Sequence, residues 1–93
     1  MEDILDKLTD YTLALRDALD TTNEANERQQ ITKHLAVAAE MYALLNRHGN
    51  LASIESVFKS EIRNHGWSFI SGEAGTNVAK KWIAFTNATD IEH

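Results

Sequence analysis

The side chains of this chain that could do chemistry are four histidines (His34, His48, His65 and His93), fourteen carboxylates, and one glycine-bearing run, Ser71-Gly72-Glu73-Ala74-Gly75-Thr76. A histidine on a helix holds a metal ion when a second His or Glu stands three or four residues along, on the same face. From His34 those positions are Val37 and Ala38. His34 lies beside the apolar positions of its segment and reads as structural. His48 and His65 stand immediately before glycines, in Arg47-His48-Gly49 and Arg63-Asn64-His65-Gly66. A cationic side chain before a glycine suits the negative end of a helix, so both read as helix ends. His93 falls in an expected frayed tail.

Covalent catalysis has no visible nucleophile. The chain has no cysteine. It has no Gly-x-Ser-x-Gly turn to present a serine. The 71–75 run resembles a phosphate loop only in its glycines: it lacks the Gly-Lys-Ser/Thr ending and the preceding strand. Lys80 and Lys81 follow on a helix. No catalytic, cofactor-binding or metal-ligating residue is expected, and the chain is not read as an enzyme.

The carboxylates are informative as a surface. Net charge is −5. The excess gathers near the start, where Glu2, Asp3, Asp6, Asp10, Asp17 and Asp20 face only Lys7 and Arg16 within residues 1–20. Asp6, Asp10 and Asp17 fall on one outer flank of a helix, and Asp6 and Asp10, four apart, repel each other slightly. That flank is either a solubilising face or a patch for a basic partner protein. With the polar start of the second helix, it makes Asp6, Asp10, Asp17, Glu24, Glu27 and Arg28 the candidate partner-binding residues. A polyanion such as DNA would be repelled on average. Nucleic-acid binding is therefore the second reading, through a helix-turn-helix with residues 51–64 as the reading helix. That helix would offer Lys59 and Arg63 but also Glu55 and Glu61, which oppose phosphate.

The elements that must position these groups are helices. Met1, Ile4, Leu8, Tyr11, Leu15 and Ala18 recur at three and four residues, as do Ile31, Leu35, Ala38, Tyr42 and Leu45. Such spacing places one apolar stripe along each helix, and no proline interrupts either. Thr21 with Glu24 matches a capping box between the two. A third helix has Leu51, Ile54, Val57, Phe58 and Ile62 inward. A fourth uses Val78, Ala79, Trp82, Ile83 and Phe85, after a connection at 67–70. The expected boundaries are about 2–20, 23–47, 51–65 and 72–88, with a frayed tail at 89–93.

The expectation is one all-α domain over residues 1–93: a compact four-helix bundle with a long antiparallel hairpin, closed at one end by an aromatic-rich C-terminal helix pair. Ninety-three residues leave a thin stability margin, and the broad stripe on the first helix suggests a homodimer. No apolar run reaches the ~18 residues of a membrane span, and the start lacks a secretory pattern. A cytoplasmic regulator, inhibitor or adaptor that works by contact is the functional expectation.

Overall fold

The computed structural model describes residues 2–64, 70 and 72–90, with side chains for 2–61, 70 and 72–90. Four α-helices make up the bundle: α1 (Glu2–Thr21), α2 (Ala25–His48), α3 (Glu55–Asn64) and α4 (Gly72–Thr89). A short 3-10 turn, Leu51–Ile54, leads into α3. No strand occurs among the described residues. The all-α four-helix bundle is thus observed. The stop at His65-Gly66, the connection at 67–69, Ser71, the inward position of Ile62 and the tail at 91–93 lie outside the described residues.

The first interhelical turn differs in detail from the expected capping box. α1 runs on through Thr21, and Thr21 Oγ1 donates back to the Ala18 carbonyl at 3.1 Å. Glu24, not Thr21, caps α2: its carboxylate accepts the Glu27 N–H at 2.6 Å. Thr22 Oγ1 accepts the Glu24 N–H and donates to Glu27 Oε2, both at 3.3 Å. Arg28 reaches back and donates to the carbonyls of Leu19 (2.6 Å) and Thr22 (3.1 Å), which the end of α1 leaves without helical partners. A capping carboxylate suits the positive helix end better than a hydroxyl does, and this shifts the start of α2 to Ala25. α2 ends as its sequence indicates, on Gly49 at φ 68°, whose N–H donates to the Leu45 carbonyl at 2.8 Å. Asn50 then takes the Ser53 N–H at 3.0 Å and opens the 3-10 turn.

α1 is the central helix, packed along both α2 and α4. Its inner face is Leu8, Tyr11, Ala14, Leu15 and Ala18, all buried. α2 contributes Ile31, His34, Ala38, Met41 and Leu45. Tyr42, expected on that inner stripe, is instead 41% exposed. The apolar arc of α2 is wider than the neighbouring helices can cover, so Met41 takes the core and Tyr42 spills over the edge. Likewise Thr89, assigned to the tail, closes α4 and is buried.

The aromatic residues draw α1 into the C-terminal cluster. Trp82 lies 5.0 Å from Tyr11 and 5.6 Å from Phe58 between ring centroids. Phe85 lies 5.7 Å from both Phe58 and Trp82. Such tilted and edge-on pairs suit the aromatic quadrupole. α4 therefore lies along the hairpin, with Trp82 among α1 and α3 rings. One glycine is required for steric reasons: a Cβ on buried Gly75 would collide with the carbonyl group of Ile70.

Candidate functional site

Two places gather groups that could act. The first is inside the bundle. His34 Nδ1 lies 2.8 Å from Glu61 Oε2, and each side chain is only 4% exposed. Glu61 reaches the core because Ile54, Phe58 and Glu61 follow one another at four and three residues, on one face. Burial, and after it the negative charge of Glu61, push the Tyr11 hydroxyl well above its ordinary value near 10. Tyr11 therefore keeps its proton at any physiological pH. A histidine oriented by a carboxylate is one half of an acid–base relay. Here both members face each other inside the core. Glu61 also borders an open groove of about 390 Å³ between α2 and α3, lined with Lys33, Val37, Glu40, Ser56, Val57 and Ser60.

The second place is the outer side of the hairpin. An open groove of about 420 Å³ runs between α1 and α2, lined by Thr9, Thr12, Leu13 and Arg16 on one side and Ala39, Tyr42 and Ala43 on the other. Leu13 is 49% exposed and Tyr42 41%. Three large apolar side chains are this exposed among the described residues. Two of them, Leu13 and Tyr42, share this groove; Ile83 on α4 is the third.

The expected partner-binding residues divide between two roles. Asp6, Asp10 and Asp17 are all exposed. At 3.6 residues per turn they fall within about 40° around the α1 axis. Leu13 stands at the edge of that arc, three residues after Asp10 and four before Asp17, so an apolar side chain borders the acidic flank. Asp17 also borders a groove between α1 and α4 with Ala14, Thr21, Glu73, Ala74 and Asn77. Glu24, Glu27 and Arg28 are engaged in the interhelical turn. The hydrogen bonds of that turn give these three side chains a structural task.

In the 51–64 segment, Ile54, Phe58 and Glu61 face inward. Lys59 pairs with Glu55 at 3.0 Å. No group of three or more His, Asp or Glu able to hold a metal ion occurs among the described residues. No helix of the described chain is long and apolar enough to cross a membrane.

Sequence reasoning missed two things here. Leu13 was outside the apolar stripe, and its isolation between Asp10 and Asp17 was the signal for an exposed anchor. Glu61 is the second: its spacing from Ile54 and Phe58 places it on the inner face. Comparison with known protein families, with curated proteins and with solved structures finds no match to this chain.

Proposed function

We propose that this protein is a small acidic binding module that acts by occupying the surface of a partner protein, as a regulator, inhibitor or adaptor, and carries out no reaction. The observation that carries this reading is the exposed Leu13 set against Asp6, Asp10 and Asp17 on one side of α1. An exposed apolar side chain beside a run of carboxylates suits a steered contact: the apolar group supplies affinity and the charges supply rate and orientation. The absence of a reaction is supported by the placement of His34 and Glu61, the best acid–base pair among the described residues. Each occupies the other within the core.

The partner is a protein with a basic surface. The observations favour this over nucleic-acid reading, since Lys59 of the proposed reading helix is paired with Glu55 and the exposed flank of α1 is acidic. The experiment is affinity capture from the organism that encodes the chain, using the wild type beside the Asp6→Lys/Asp10→Lys/Asp17→Lys variant. A protein held by the wild type, released by salt and not held by the variant supports the reading. Capture unaffected by the three reversals, or capture of nucleic acid, overturns it.

A further inference from the structure

We propose that the groove between α1 and α2 is a seat for one amphipathic helix of the partner, with a large apolar side chain lodged between Leu13 and Tyr42 and basic side chains laid against Asp10 and Asp17. This rests on the binding-module reading and specifies its occupant.

The groove has the shape a helix needs. Its floor carries small side chains, Thr12, Ala39 and Ala43. Small residues let a third helix come close to the antiparallel pair, while Leu13 and Tyr42 stand up as ridges for it to pack between. An added strand would need a sheet edge, and the described residues contain no strand. Helix-in-groove recognition relies on apolar anchors three and four residues apart on the ligand, and one such stripe would meet Leu13 and Tyr42.

Charge selects the occupant. Asp10 and Asp17 stand one turn to either side of Leu13 along α1, on the flank just beyond the groove, and Asp6 and Asp20 lie on the same exposed side of the helix. The ligand helix must place Lys or Arg along that side. Arg16 lines the groove itself. One acceptor or carboxylate on the ligand placed opposite it would fix direction and register. A second copy of this chain fits poorly. A two-fold contact places the same patch against itself and so brings two acidic flanks to one interface.

The test uses synthetic amphipathic helical peptides with one leucine stripe and solvent-side positions filled with Lys/Arg, Gln or Glu. Each is titrated into the full chain and followed by amide chemical shifts. The basic peptide should bind and move the amides of residues 9–16 and 39–43. The Gln peptide should bind roughly tenfold more weakly, and the Glu peptide not measurably. Leu13→Gln/Tyr42→Gln leaves the charge unchanged, and Asp10→Asn/Asp17→Asn leaves the apolar anchors unchanged. Each pair should weaken the basic peptide by about tenfold or more, with an unaltered helical circular-dichroism spectrum.

Equal binding to the Leu13→Gln/Tyr42→Gln variant would reduce the contact to bare charge and overturn the proposal. So would shifts centred on Ile83 or elsewhere. A dimer in light scattering that this same variant disperses would assign the groove to a second copy instead. Failure of the groove and failure of the wider reading are separable. A captured partner lost by the three Asp→Lys changes but kept by Leu13→Gln/Tyr42→Gln sinks only the groove. Peptide binding in the groove with no salt-released protein partner sinks only the reading of the protein's role.

Discussion

His34 on α2 and Glu61 on α3 meet at 2.8 Å inside the core, twenty-seven residues apart in the chain. They tie α3 to the hairpin at a depth where most of the packing is apolar. Removing one partner of such a buried pair leaves a charge or a polar ring without its complement and typically costs about 3–5 kcal/mol. Replacing both by apolar side chains removes the desolvation cost as well. We expect His34→Leu and Glu61→Leu each to lower the urea midpoint strongly, and the double variant to recover most or all of the loss. Additive losses in the double variant would show that the two side chains do not act as a pair.

Tyr11 gives the bundle a sensitivity to alkali. In the unfolded chain its hydroxyl ionises near pH 10. In the folded protein, burial and then the Glu61 charge hold it protonated well above that. Above pH 10 the unfolded chain therefore carries fewer protons than the folded one, and stability falls as pH rises. The contribution is complete below about pH 10 and fades above it, by at most about 1.4 kcal/mol per pH unit. Urea midpoints measured from pH 8 to beyond pH 10 should drop more steeply for the wild type than for Tyr11→Phe.

Gly75 on α4 packs directly against the carbonyl group of Ile70. In an open helix, Gly→Ala would stabilise by up to about 1 kcal/mol. Here the new Cβ meets the Ile70 carbonyl group, and the backbone must move. Gly75→Ala should instead destabilise by about 1–3 kcal/mol, the usual range for overpacking, read as a lowered melting temperature. Thr76→Ala, one residue along and exposed, should leave the melt within about 0.5 kcal/mol.

The turn residues and the acidic flank should respond differently to mutation. Glu24→Ala removes the cap of α2 and should cost about 0.5–2 kcal/mol. Arg28→Ala frees the carbonyls of Leu19 and Thr22 and should cost about 1 kcal/mol. Asp10→Lys, by contrast, trades the repulsion with Asp6 for an attraction and the attraction to Lys7 for a repulsion. It should leave stability within about 0.5 kcal/mol. A melting curve for each separates the two groups. A destabilised Asp10→Lys would mean that the acidic flank supports the fold of the free chain.

The chain's own pattern determined that it is helical, roughly where the helices lie, and where α2 stops. These features depend on neighbours three and four residues apart and on local backbone preference at Gly49, and a linear sequence displays both. Spacing also placed Leu8, Tyr11, Leu15 and Ala18 inside and put Asp6, Asp10 and Asp17 on one flank. Only the packed structure decided how wide each buried face is. Tyr42 left the core and Met41 entered it because the neighbouring helices cover just part of the α2 apolar arc. Glu61 joined the core because its partner, His34, lies on another helix, and no local pattern announces a bond made across twenty-seven residues. The α1–α2 groove has the same origin: Leu13 and Tyr42 belong to separate helices and share a surface only because the turn held by Glu24 and Arg28 folds one helix back along the other.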